Sequence, residues 1–236
     1  MPVPRKPDTP LVGGLVPFST IDYPGQLAAV IFLQGCPWRC GYCHNPHLQS
    51  RGQPQYNWKQ IIRFLHSRLG MLDAVVFSGG EPTADHCLLE AVKSVKKMGF
   101  LAGIHTAGAY PERLEKLLPY LDWVGLDIKA PFNSTYDRIT TVAQSHRNAL
   151  ASLQRLLEQG GEFEVRTTLH PRLLSETDVL SIATTLASMG VKHYALQKFQ
   201  PRDCINEQLN LNLPTCYPDE NLLFQIKALF PDFTYR

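Results

Sequence analysis

Residues 27–46 read LAAVIFLQGCPWRCGYCHNP. A short apolar run, residues 27–34, breaks off into a loop that holds Cys36, Cys40 and Cys43. The run has the length and composition of a strand. The same rhythm then recurs down the chain. Asn57 opens a helix with Gln60 three residues on, a variant of the capping box. Trp58, Ile61, Ile62, Leu65 and Leu69 follow at helical spacing, and Gly70 stands where a C-cap belongs.

Strand-like runs recur at AVVFSGG (74–80), LAGIHT (101–106), WVGLDIK (123–129), FEVRTTL (163–169) and HYALQKF (193–199). Each leads into a helical pattern: Leu88 to Val95 ended by Gly99; Pro111 to Leu121; Leu150 to Leu157 ended by Gly160; and a helix capped near Ser175 and ended by Gly190. A last helix with Leu222, Leu223, Ile226 and Leu229 follows a polar loop over 200–218. Six β–α units with short connections predict a parallel sheet, and hence an α/β fold of the partial (β/α)6, TIM-type barrel class. The proline-rich residues 1–26 read as an extended arm on the outside of the sheet, and 27–236 as a single domain.

The chemically distinctive residues cluster at the ends of these runs. Ser78, Gly79, Gly80 and Glu81 close the second; His105 and Thr106 close the third; Asp127 and Lys129 close the fourth. Arg166 lies in the fifth and Gln197 at the end of the sixth. In barrels of parallel strands the C-terminal strand ends form the active site, so these residues converge on one mouth. That bias in placement marks an enzyme.

Composition narrows the field. A net charge of +2 gives no broad basic surface for nucleic acid. No apolar run reaches the ~18 residues of a membrane span. Prolines occupy the N-terminus where a signal peptide would carry its apolar helix, so the expected location is cytoplasmic. Six cysteines in a cytosolic chain do not suggest a disulfide framework; three in one loop suggest ligands. Three readings of Cys36, Cys40 and Cys43 stand at this point. One is a structural zinc site closed by His44 or His47, in a binding module without redox chemistry. A second is a C-x-x-C dithiol, and a third is a 4Fe-4S cluster held by three thiolates with one iron left open.

C-x3-C-x2-C with an aromatic before the last cysteine, followed by G-G-E-P, resembles the signature of the radical S-adenosylmethionine (radical SAM) enzymes. The longer stretch STIDYPGQLAAVIFLQGCPWRCGYCHNP (19–46) is similar to the activating enzymes of glycyl radical enzymes, in particular those of anaerobic ribonucleoside-triphosphate reductase. The resemblance covers nearly the whole chain. It implies a radical SAM fold with a 4Fe-4S cluster on Cys36, Cys40 and Cys43 and S-adenosylmethionine on the open iron. It further implies hydrogen-atom abstraction from a glycine of a large partner, the anaerobic ribonucleotide reductase, with a flavodoxin or ferredoxin as electron donor. An activase for a pyruvate formate-lyase type partner and a small-molecule radical SAM enzyme are the alternatives within the superfamily.

Carried onto single residues, the resemblance places Tyr42 near the adenine, with core packing as the plain alternative. It places Ser78, Gly79, Gly80 and Glu81 at the methionine end, where a carboxylate or carbonyl accepts from an ammonium. Asp127 and Lys129 match a D-x-K pattern that contacts the cofactor and the substrate loop. Arg166 is assigned to the cofactor's carboxylate or ribose, with an ion pair to Glu164 or Asp127 as the alternative; Gln197 and the Thr106 hydroxyl complete the set. Relatives often read D-T-N-G where this chain has His105-Thr106-Ala107-Gly108, which puts any cation contact there in doubt. His105 reads as a structural histidine. Cys87 reads as core, and Cys204 and Cys216 flank the last loop without a ligand-like spacing.

Overall fold

The computed structural model describes residues 8–201, 204, 206–211 and 217–236. Among these residues eight strands form one sheet in chain order: β1 (Val12–Ser19), β2 (Ala28–Leu33), β3 (Ala74–Gly79), β4 (Leu101–Thr106), β5 (Trp123–Asp127), β6 (Phe163–Leu169), β7 (His193–Lys198) and β8 (Asp232–Tyr235). β1 runs antiparallel to β2, and each later pair is parallel. The helices are α1 (Trp58–His66), α2 (Leu88–Lys97), α3 (Pro111–Leu117), α4 (Ser134–Thr140), α5 (Ser145–Gln159), α6 (Glu176–Ser188), α7 (Glu207–Asn210) and α8 (Glu220–Lys227). Among the described residues β1 and β8 do not pair with each other. The sheet therefore curls into a partial barrel with an open side.

Local signals in the sequence account for the helix ends. Asn57 Oδ1 accepts the Gln60 N–H at 2.9 Å, and Gln60 Oε1 accepts the Asn57 N–H at 2.8 Å, which closes the capping box of α1. Ser175 and Asp178 do the same for α6. Gly160 ends α5 in the left-handed region. Leu69, placed on the helical stripe by spacing, instead lies exposed in the turns after α1.

Strand alternation sorts the side chains into two layers. Ile31, Phe77, Ile104, Leu126, Val165 and Leu196 point outward and pack under the helices. Ala28, Val30, Ala74, Val76 and Trp123 point into the barrel. Tyr23, from the β1–β2 connection, joins this inner layer with its ring 5.4 Å from Trp123 and so floors the barrel. Toward the C-terminal ends of β3 to β7 the inner-facing positions turn polar: Ser78, His105, Asp127, Thr168 and Gln197.

Four features differ from the sequence reading. The expected N-terminal arm supplies an edge strand from Val12; Gly13, Gly14 and Pro17 interrupt the alternation that marks a strand. β8 and α7 are four residues each, too short for periodicity to register. α4 occupies part of the loop expected after the fourth strand. Cys87 is the N-cap of α2 and only part-buried rather than core, while Cys216 lies outside the described residues. Among the described residues no helix is long and apolar enough to cross a membrane.

Candidate active site

The cysteine loop leaves β2 and is closed at its base by main-chain bonds. Gly35 N–H donates to Leu48 O at 2.7 Å and Cys36 N–H to Gln49 O at 3.0 Å. The Gln34 side chain spans the exit, accepting from Gly52 N–H at 2.8 Å and donating to Gln53 O at 3.0 Å. Cys43 N–H donates to Cys40 O at 3.1 Å, a tight turn that keeps the last two cysteines together. Burial, and then the nearby Glu81 carboxylate, push the Cys36 thiol up to about 12, and burial likewise raises Cys40. Left to itself the loop keeps these protons; a cluster of cations would displace them. Among the described residues no three Cys, His, Asp or Glu side chains, the cysteines of this loop included, stand gathered around one ion position, and His47 is exposed.

Beside the loop lies the G-G-E segment. Glu81 N–H donates to Gly35 O at 2.8 Å, joining the two segments. A Cβ on Gly80 would stand 2.6 Å from Gly35 O and 2.8 Å from Leu48 O, so only glycine lets this turn seat on the base of the cysteine loop. The Glu81 side chain does not face the cavity as expected. It is buried, and its Oε1 accepts from the Thr83 N–H at 3.0 Å, the Thr83 hydroxyl and the Thr106 hydroxyl at 2.7 Å; its Oε2 accepts the Ala107 N–H at 2.8 Å. Four protein donors saturate the carboxylate. Thr106 is equally engaged, since its oxygen also accepts the Gly108 N–H at 3.0 Å. Both residues thus position the strand ends, and the groups of this segment turned toward the cavity are Ser78, Gly79 and Gly80.

Across the barrel, Arg166 reaches from β6 to Asp127 on β5, with Nε and Nη2 each 2.9 Å from Oδ1. The ion pair expected as the alternative for Arg166 is present, and with Asp127 rather than Glu164, which pairs with Arg236 at 2.7 Å. Gly125 makes the room: a Cβ there would sit 2.8 Å from the guanidinium. Burial works to raise the Asp127 carboxyl, but Arg166 and then Lys129 hold it below the usual carboxylate value. Burial also opposes the Lys129 charge; Tyr42 and Asp127 outweigh it and keep the ammonium protonated. Lys129 Nζ lies 3.8 Å from Asp127 Oδ2 and 5.6 Å from the centre of the Tyr42 ring. Tyr42 itself packs in the core, beneath Lys129, which favours the plain alternative for that residue. His105 Nε2 lies 2.8 Å from Asp22 O and its ring meets Trp123 edge-on, a satisfied structural histidine as expected. Burial, and then Arg166, push its pKa down to about 3, so it stays neutral.

Two cavities share these walls. The inner one, about 140 Å³, is lined by Cys36, Cys40, Asn45, the main chain of 78–80, Thr106, Ala107 and Lys129. The outer one, about 630 Å³, is lined by Thr20, Ile21, Asp22, His44, Thr168, Gln197, Lys198 and Arg236. His105, Asp127 and Arg166 line both. Gln197 lines the outer cavity. The sequence reading gave no role to Asn45 or to the 20–24 connection; the signal was present, since T-I-D-Y-P belongs to the stretch that carries the resemblance. Cys204 is buried against the cysteine loop with Sγ 3.6 Å from Gly41 O. Cys36 and Cys40 in the cavity wall, Cys43 in the tight turn after Cys40, and the Lys129 ammonium opposite them are a donor set suited by its chemistry to a three-thiolate iron–sulfur cluster with a small zwitterionic ligand beside it.

Comparison with known proteins agrees. Residues 30–186 match the Radical SAM superfamily. A protein of Methanocaldococcus jannaschii named "Putative glycyl-radical enzyme activating enzyme" is 35% identical over 225 residues, covering 92% of this chain and 90% of its own. The pyruvate formate-lyase-activating enzyme of Streptococcus mutans is 32% identical over 190 residues, 73% of this chain and 70% of its own. Among solved structures, Streptococcus suis SuiB bound to precursor peptide SuiA superposes with a TM-score of 0.69 at 13% identity, over 88% of this chain and 48% of SuiB. Escherichia coli QueE does so with a TM-score of 0.53 at 23% identity, over 87% and 91%. These two show the fold, and this chain spans about half the length of SuiB. The chain belongs to the radical SAM superfamily, as an activating enzyme of the glycyl-radical kind that works with a 4Fe-4S cluster and S-adenosylmethionine.

Proposed function

We propose that this activase serves the anaerobic ribonucleoside-triphosphate reductase in the cytoplasm, taking a hydrogen atom from one glycine of that partner, with a flavodoxin or ferredoxin supplying the electron. Cys36, Cys40 and Cys43 would hold the cluster, and the main chain of Ser78–Gly80 together with Lys129 would hold the methionine end of S-adenosylmethionine. When bound, these groups supply a one-electron cleavage that yields a hydrogen-abstracting radical. The protein's own part is placement. Asp127 and Arg166 fix the wall between the two cavities, and Tyr23 and Trp123 exclude water from below.

The observation that carries a macromolecular substrate is the outer cavity. It shares His105, Asp127 and Arg166 with the inner one, and its lining runs from Thr20, Ile21 and Asp22 after β1 to Arg236 after β8, two strands that do not pair among the described residues. A partner's glycine loop, inserted as a peptide into a groove, would itself roof the opening. The resemblance of residues 19–46 to the activators of that reductase is what favours it over a pyruvate formate-lyase type partner. The test is isotopic. Anaerobic, reduced enzyme with S-adenosylmethionine and the reductase carrying α-deuterated glycine should move deuterium into 5′-deoxyadenosine. Label arriving instead from a free metabolite, with no protein partner present, would overturn the reading.

A further inference from the structure

β1 forms one lip of the open side, and its free surface is apolar. Val16, Phe18 and Ile21 are exposed, Phe18 to 56% and Ile21 to 84%, with Pro17 exposed between the first two. An edge strand of this kind invites pairing with another chain. Here the backbone is blunted against that. The β1–β2 register shifts between Val12 and Gly14 and again between Val16 and Ser19, and Pro17 has no N–H to offer. The strand is thus guarded against strand addition while its side chains remain apolar.

The lip is continuous with the site at both ends. Ile21 lines the outer cavity beside Asp22 and Arg166. Val16 lines a groove of about 270 Å³ with Gly14, Phe32, Asn45 and His47, and Asn45 also lines the inner cavity. Phe18 lies between Val16 and Ile21 along the chain.

We infer that Val16, Phe18 and Ile21 are the docking contact for the folded body of the glycyl-radical partner, an apolar protein surface next to its glycine loop. This rests on the activase reading above. Val16 and Phe18 are not among the residues lining the outer cavity, so their part of the contact adds affinity for the intact partner and none for an excised glycine loop, whereas Ile21, in the cavity wall, meets both.

The test uses loaded holoenzyme, with the anaerobic ribonucleotide reductase and a peptide copying its glycine loop as the two probes. In the double variant Val16→Ser with Phe18→Ser, KM for the intact reductase should rise tenfold or more. KM for the peptide, slow cleavage of S-adenosylmethionine without partner, the iron–sulfur absorbance and the melting temperature should stay as in the parent. Phe18→Leu should retain most of the affinity. An unchanged KM for the intact reductase, or an equal loss for the peptide, overturns the docking contact. So does a parent protein that elutes as a dimer and a variant that elutes as a monomer, because the lip then faces a second copy. Failure of the activase reading looks different: the unsubstituted enzyme itself moves no label from the reductase or the peptide.

Discussion

The carboxylate of Glu81 accepts the Thr106 hydroxyl at 2.7 Å, which ties the end of β3 to the end of β4. The bond is one of four that Glu81 accepts, so its substitution acts on the frame before it acts on the cofactor. In Glu81→Gln the amide must present N–H where a donor already points, either at Ala107 or at Thr83 and Thr106. We predict a loss of about 2–3 kcal/mol in urea unfolding, the range for leaving buried polar groups unpaired, together with weaker binding of S-adenosylmethionine. Thr106→Val should lose about 1 kcal/mol. Unfolding midpoints equal to the parent, with only cofactor affinity reduced, would return Glu81 to the role expected from the sequence.

Arg166 is 6% exposed and depends on Asp127 for its compensation. Asp127→Asn should destabilise by about 2 kcal/mol, below the ~3–5 kcal/mol of fully buried pairs because Asp127 faces the cavity. The double variant Asp127→Asn with Arg166→Leu should recover part of that loss. A double variant no better than the sum of its parts means the two residues do not share an ion pair.

His105 gives the barrel an acid-sensitive element. Its ordinary pKa is 6.5 and in the fold it is pushed down to about 3, so the unfolded chain takes up the proton first as pH falls. Stability from this residue is complete above pH 6.5 and drains away toward pH 3, at about 1.4 kcal/mol per pH unit. His105→Gln keeps an N–H toward Asp22 O and should flatten the loss between pH 6.5 and 5 by about 2 kcal/mol. Parallel stability curves for the two proteins over that range would refute this.

Alanine at Cys36, Cys40 or Cys43 should abolish both the iron–sulfur absorbance and all cleavage of S-adenosylmethionine, while Cys87→Ala leaves both in place. Cys204→Ala should retain the iron, since its Sγ rests on the Gly41 carbonyl rather than among the other thiols. Loss of about half the iron in Cys204→Ala would mean a second metal centre.

Gly80→Ala drives a methyl group to within 2.6 Å of Gly35 O, a main-chain atom that cannot swing aside. Iron incorporation should fall several-fold, because the base of the cysteine loop must move. Full iron content at unchanged stability would show that the two segments are not packed as described.

Most of the scaffold was readable because its signals are periodic. LAGIHT and FEVRTTL coincide with β4 and β6 to the residue, and the Asn57 capping box and the cap near Ser175 announced their helices. β1 was not readable: an edge strand needs only one neighbour, so Gly13, Gly14 and Pro17 carry no pattern. The convergence of Ser78, His105, Asp127 and Arg166 followed from their shared place on the strands. Their directions did not. A glutamate after two glycines reads the same whether it meets a ligand or, like Glu81, four protein donors; a tyrosine between cysteines reads the same in a cavity wall or, like Tyr42, under a lysine.

The unpaired flanks of β1 and β8 have a mechanical consequence. In a closed barrel the ring of hydrogen bonds sets the circumference, and no strand can shift without breaking some of them. Among the described residues the sheet stays open between β1 and β8, so no closed ring of hydrogen bonds fixes the girth of the mouth, and a guest seated there need not break a ladder to fit.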